Sequence, residues 1–373
     1  MTDSAREPGM DLLFQPLNIK SLHLPNRIVM APMTRYFSPD GIPTSDVAAY
    51  YRRRAEGGVG LLISEGTTIA RPFAAYDPHI PRFHGAEALA GWQAVIDDVH
   101  AAGGRMAPQL WHVGALSDAS RTCDCSSSLE SPSGLCAPGT EVGVVMTQSD
   151  IDATIGAFAI AASQAQRMGF DCVEIHGAHG YLMDQFFWGA TNHRSDIYGG
   201  PLLAQRTRFA TEVLGAVRRA VGADFVISLR LSQWKQQDVV FKLAPTPQAL
   251  ESWLGPLADA GVDVFHCSQR RFWEPEFEGS ALNFAGWAKK LTGKRSIAVG
   301  SVGLDNDLLT TFSGAESSPS PITKLIAALD REEFDLVAVG RALLADATWA
   351  AKLREGRVAD MQGFSPAALA VLR

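Results

Sequence analysis

With 373 residues, 46% of them hydrophobic and 20% charged, the chain can bury a large core, and its composition fits neither a disordered nor a fibrous class. A net charge of −7 argues against a nucleic-acid-binding surface, and five scattered cysteines argue against a disulfide scaffold. No secretory leader precedes the first apolar run and no run reaches the roughly 18 apolar residues that span a bilayer, so a cytoplasmic protein is expected.

Residues 1–11 are expected to be flexible. Residues 12–27, LLFQPLNIKSLHLPNR, alternate short apolar stretches with Asn18 and Ser21, the pattern of a hairpin that plugs one end of the main fold. IVMAPM (28–33) reads as the first buried strand, ending at Pro32 before a turn-rich loop, TRYFSPDGIPT. An amphipathic stretch from Asp46 to Glu56 then leads to GVGLLISEG, and another from Ala86 to Ala102 leads to RMAPQLWH. The triplet Arg52, Arg53 and Arg54 reads as a solvated helix face. The long polar segment from Ser117 to Thr147 is expected to be a lid or an edge of a site; the spacing of its Cys123, Cys125 and Cys136 does not suit zinc.

Further apolar runs come later in the chain: DCVEIH from Asp171, FVISLRLS (225–232), VDVFHCS (262–268), SIAVGSV (296–302) and LVAVGRA (336–342). Helical patterns such as PLLAQRTRFATEVLGAVRRAV and PTPQALESWLGPLADAG separate them, and Glu316 to Pro321 reads as a surface loop only. Continuous apolar runs suit parallel strands covered on both faces. Counted together they predict an α/β fold, a single (β/α)8 TIM barrel with an N-terminal β-hairpin capping the barrel bottom, and one domain over residues 1–373. An open doubly wound sheet is the alternative, but no glycine fingerprint follows the first strand.

Active sites of such barrels lie at the C-terminal strand ends. Those ends here are Pro32, Met33 and Thr34; Glu65, Gly66 and Thr67; Gln109 and His112; His176, His179 and Tyr181; Arg230; Gly300 and Ser301; Gly340 and Arg341, all expected around one bound molecule. The segment HGAHGY sets two imidazoles and a phenol among small residues, so that all three can address one object. They could instead be satisfied core groups, or bind metal with Glu174 and Asp184, although no third ligand stands out. Gly300, Gly340 and Arg341 suit a phosphate, and Arg230, inside an apolar strand, needs an anionic or strongly hydrogen-bonding partner. Tyr36, Phe272 and Trp273 are candidate walls of a substrate pocket.

The chain resembles the Old Yellow Enzyme family of flavin-dependent ene-reductases. His176, His179, Gly180 and Tyr181 carry the likeness, followed by Asn192, Arg194, Asp196, Tyr198, Gly199 and Gly200 and, elsewhere, by NRIVMAPMTR, EGGVGLLISEGT, QLWHVG, SPSG, AVGSVG and VGRALLAD. The resemblance implies FMN as cofactor, NADH or NADPH as hydride donor, and an α,β-unsaturated ketone or aldehyde as substrate. It implies that His176 and His179 hold the substrate oxygen, that Tyr181 is the proton donor, and that Arg230 lies at the flavin N1 and O2 edge. Gln109 suits the flavin imide edge and Thr34 its O4. Pro32, Met33, Gly66, Gly300, Ser301, Gly340 and Arg341 complete the cofactor site. The chain departs from the pattern at Ala115, where the family commonly has arginine. Rival readings are a metal-dependent barrel hydrolase using His176 and His179, and a non-catalytic flavin carrier; a larger iron–sulfur relative is disfavoured because the last cysteine is Cys267. A small-molecule substrate, no nucleic acid, no membrane, and a monomer or homo-oligomer are expected.

Overall fold

The computed structural model describes residues 9–116 and 129–373. Its centre is a closed barrel of parallel strands: β1 (Ile28–Met30), β2 (Leu61–Thr68), β3 (Met106–Trp111), β4 (Cys172–His179), β5 (Val226–Lys235), β6 (Val264–Ser268), β7 (Arg295–Val299) and β8 (Leu336–Val339), the last pairing back onto β1. Helices cover it: α1 (Ser45–Glu56), α2 (Ala86–Ala101), α3 (Gln148–Arg167), α4 (Arg208–Val221), α5 (Pro247–Asp259), α6 (Phe284–Thr292), α7 (Thr323–Asp330) and α8 (Trp349–Arg354). Their starts are locally encoded. Thr147 and Asp150 form a reciprocal cap on α3, and Asn283 accepts from the Gly286 N–H at the start of α6.

Because side chains alternate along a strand, each strand serves two cores. Ile28 and Met30 pack outward against the helices, whereas Val29 and Ala31 join Leu61, Ala107, Cys172, Val226, Val264 and Ile297 inside the barrel. The hairpin, Leu17–Ile19 paired with Leu22–Leu24, lays Leu17, Ile19, Leu22 and Leu24 on that inner cluster and closes the barrel bottom, as its pattern predicts. Above this apolar layer the same inward-facing positions turn polar: Glu174 and His176 follow Cys172, Ser228 and Arg230 follow Val226, and His266 and Ser268 follow Val264.

Several expectations need correction. The fifth strand runs past Ser232 to Lys235, carrying Trp234 to the rim. Arg54 is fully buried and donates to the carbonyls of Tyr50 and Leu343, so the arginine triplet is not one solvated face. The segment 316–321 is more than a surface loop: Ser317 is buried and pairs through its backbone with Phe364 in both directions. Of the expected flexible terminus, residues 1–8 lie outside the described residues, while Met10 is buried in the turn Met10–Phe14. Cys123 and Cys125 also lie outside the described residues.

Candidate active site

A cavity of about 860 Å³ opens at the C-terminal end of the barrel. Pro32, Met33, Thr34, Tyr36, Gly66, Gln109, His176, His179, Tyr181, Arg230, Gly300, Ser301, Gly340 and Arg341 all line it. Glu65, Thr67 and His112 do not. The β2–β3 register shifts between Ile63 and Gly66, so Gly66 faces in while its neighbours face out. Glu65 accepts the Arg35 N–H at 2.8 Å, Thr67 receives the Trp92 indole N–H, and His112 contacts Glu130 at 2.9 Å. Phe272 and Trp273 do not line it either: Phe272 is part of the outer core, and Trp273 packs partly buried against that core with Lys324 over its ring.

His176 is the best defined of the three central groups. Its Nδ1 accepts the Ala178 N–H at 3.2 Å, which puts the ring proton on Nε2. Burial, reinforced by the Arg230 cation, holds it far below the ordinary imidazole range, at about 3. The ring stacks on Trp111 with centroids 6.0 Å apart, and Tyr181 stands edge-on to both, 5.0 Å from His176 and 4.7 Å from Trp111. His179, at φ 64°, has its ring 5.4 Å from that of His176, and its Nε2 lies 2.8 Å from the Ser268 hydroxyl. Burial and Arg230 depress its pKa too. Both imidazoles are therefore neutral near pH 7.

The carboxylates considered as metal ligands are already held. Asp184 meets Lys235 at 2.5 Å, both fully buried, and also accepts the Gly180 N–H. Glu174 accepts from Gln109, Ser228 and His266. No group of three potential metal ligands occurs among the described residues. The metal-hydrolase reading therefore lacks a donor set among the described residues.

The same cavity fits a flavin mononucleotide. Arg230 is buried, donates only to the Pro32 carbonyl at 3.3 Å among the described residues, and has an Nε without a partner. Arg270 also lines the cavity, its Nε likewise buried and unpartnered. Gly66 leaves no room for a side chain, since a Cβ there would sit 2.4 Å from the Trp111 ring. Gly300, at φ 143°, is required by the Gln269 carbonyl, 2.4 Å from where its Cβ would lie. Arg341 is committed to its neighbours, donating to the Asn306 carbonyl at 2.6 Å, to Thr311 and to the Asp307 carbonyl.

Sequence reasoning missed Trp111, Trp234, Tyr76, Arg270 and Leu369, all of which line the cavity. Alternation from Gln109 could have found Trp111, and the full length of β5 could have found Trp234. Nothing local marks Leu369, which is brought over the cavity by the C-terminal segment. Arg35 donates to the carbonyls of Ala368 and Val371 at 3.1 and 2.7 Å, and Arg53 to that of Leu372 at 2.7 Å. The motif around Asn192 also serves structure: Arg194 pairs with Asp196 and donates to the Pro132 and Met146 carbonyls. At the departure from the family pattern, Ala115 is buried and donates its N–H to Gln185.

Residues 12–360 match the profile of the NADH:flavin oxidoreductase / NADH oxidase family. A putative 12-oxophytodienoate reductase-like protein 1 of Arabidopsis thaliana is 41% identical over 222 residues, 57% of this chain and 66% of that protein. The chain thus spans just under two thirds of the length of that relative. Morphinone reductase in complex with tetrahydroNAD superposes with a TM-score of 0.79 at 30% identity, covering 96% of this chain and 93% of that one. The old yellow enzyme homologue from Zymomonas mobilis gives 0.78 at 25% identity, covering 96% of both.

Proposed function

This chain belongs to the NADH:flavin oxidoreductase / NADH oxidase family, the Old Yellow Enzyme family, and on that premise we propose that it is an FMN-dependent reductase of α,β-unsaturated ketones and aldehydes. The observation that carries the reading is the convergence of two neutral imidazoles, one phenol and a buried cation on one cavity.

FMN bound there supplies a group that takes hydride from NADH or NADPH and passes it to an alkene carbon. Arg230 and Gln109 would hold its pyrimidine edge, Thr34 would reach its O4, and Pro32, Met33 and Gly66 would lie against its ring system. Gly300, Ser301, Gly340 and Arg341 would surround its phosphate. His176 donates its Nε2–H to the substrate's carbonyl oxygen. As a neutral imidazole it polarises the double bond by hydrogen bonding and keeps its own proton, so the proton that reaches the α-carbon has to come from another group. His179 keeps Nδ1 for the same oxygen, its Nε2 being tied to Ser268. Tyr181 delivers a proton to the α-carbon. Trp111 fixes the rings of His176 and Tyr181 relative to each other, and Tyr36 and Trp234 wall the substrate space. One domain over residues 1–373 does all of this, in the cytoplasm, as a monomer or a homo-oligomer; no helix among the described residues is long and apolar enough to cross a membrane.

Tyr181→Phe separates the two half-reactions. Flavin reduction by nicotinamide needs no protein proton and should stay near the wild-type rate. Reoxidation by cyclohexenone should slow by roughly 10²- to 10⁴-fold, while reoxidation by oxygen persists. A full enone rate, or an equal loss in both half-reactions, removes Tyr181 as the donor.

A further inference from the structure

Beneath the cavity lies a buried carboxylate that the reaction itself does not use. Glu174 is completely buried on β4, at the inward-facing position between Cys172 and His176. Strand register puts it beside Gln109 on β3 and Ser228 on β5. All three of its hydrogen bonds are received: 2.8 Å from Gln109 Nε2, 2.9 Å from the Ser228 hydroxyl and 2.8 Å from His266 Nδ1. A carboxylate can only accept, so the Gln109 amide has one permitted orientation. Its NH2 faces Glu174, and its carbonyl oxygen, which accepts from none of the described residues, is left for whatever occupies the cavity that Gln109 lines. Arg230 is the next inward-facing residue of β5 after Ser228, Glu174's register partner, so Glu174 is the buried carboxylate diagonally below it, and no carboxylate contacts Arg230 directly among the described residues.

We propose that Glu174 is the positioning residue of the cavity floor: its carboxylate turns the Gln109 carbonyl toward the cavity and balances the Arg230 guanidinium. The floor then offers one acceptor and one charge-balanced cation, the complement of an imide N–H flanked by carbonyl oxygens. This rests on the flavin reading and adds to it how the specificity for an imide is set.

The two roles come apart in two variants, read on apoprotein and on the flavin rather than on turnover. Apoprotein is titrated with FMN and with FMN methylated at N3, which lacks the imide proton, and quenching of flavin fluorescence gives the affinities. Wild type should prefer FMN. Glu174→Leu frees the Gln109 amide to turn, so FMN affinity should fall roughly 10- to 100-fold, as expected for loss of a positioned hydrogen bond near charge, and the preference over the methylated flavin should shrink toward unity. Glu174→Gln keeps an acceptor for Gln109 but removes the charge. It should retain the preference and raise the flavin midpoint potential, because a negative charge near the reduced flavin is gone. Undiminished preference in a folded Glu174→Leu protein overturns the positioning role; if that variant does not fold, an unchanged or lowered potential in Glu174→Gln overturns the charge-balancing role. Failure of wild-type apoprotein to bind either flavin would instead overturn the flavin reading.

Discussion

At the scale of single residues, burial keeps the two cavity imidazoles neutral beside a buried cation, and the proposed function makes use of both. Because burial holds His176 at about 3, it stays neutral across the physiological range, and binding of a non-ionisable enone to the oxidised protein should be flat from about pH 5 to 8. A loss of affinity centred near the ordinary imidazole pKa would show that His176 acts in its charged form. Arg230 is the buried cation of the same cavity, proposed above to face the flavin. Arg230→Met removes the cation and should both weaken FMN binding and lower the flavin midpoint potential. An unchanged potential in a folded variant would make Arg230 purely structural. Glu65 does not line the cavity, and its ionisation bears on stability instead. Burial raises it to about 7 in the folded state, so the protonated form is favoured by folding. The stabilisation is present at low pH and is lost as pH rises from about 4.5 to about 7, on the order of 3 kcal/mol in total. Glu65→Gln should flatten the fall in unfolding temperature over that window; an identical fall in the variant would clear Glu65.

At the scale of elements, strand ends and the loops after them decide what faces the cavity. HGAHGY is readable because two histidines and a tyrosine among small residues are unusual for a core, and β4 with the turn after it does deliver His176, His179 and Tyr181 together. Glu65, Thr67 and His112 are misplaced by sequence spacing because a one-residue register shift in β2, and the outward turn after Trp111, reverse the side-chain faces, and spacing does not record a shift of that kind. The HGAHGY loop is held by a pair the sequence does not suggest, Lys235 at the end of β5 with Asp184 after β4. Lys235→Met leaves a buried carboxylate without its partner and should cost about 3–5 kcal/mol, whereas Lys235→Met with Asp184→Leu should recover much of it. Chemical denaturation of the three proteins checks this; equal losses in the single and double variants would mean that the pair's partners, and not its charges, hold the loop.

At the scale of the whole molecule, the fold is legible in the sequence and the final closure of the cavity is not. Eight apolar runs, each buried on both faces, leave a closed parallel barrel as the natural arrangement. The C-terminal segment is another matter. Arg35 and Arg53 hold it through backbone carbonyls, an interaction indifferent to its side chains, so no motif announces that Leu369 will lie over the cavity. A barrel built around one large ligand should be stabilised by it. FMN at roughly a hundredfold excess over its dissociation constant should add about 2.7 kcal/mol to the stability of the apoprotein. The most direct test of the account is an anaerobic titration of the purified protein followed by absorbance. NADH or NADPH should bleach the oxidised FMN band, and cyclohexenone added afterwards should restore it stoichiometrically while the saturated ketone accumulates. A protein that carries no flavin after reconstitution, or whose reduced flavin is left untouched by the enone, would contradict it.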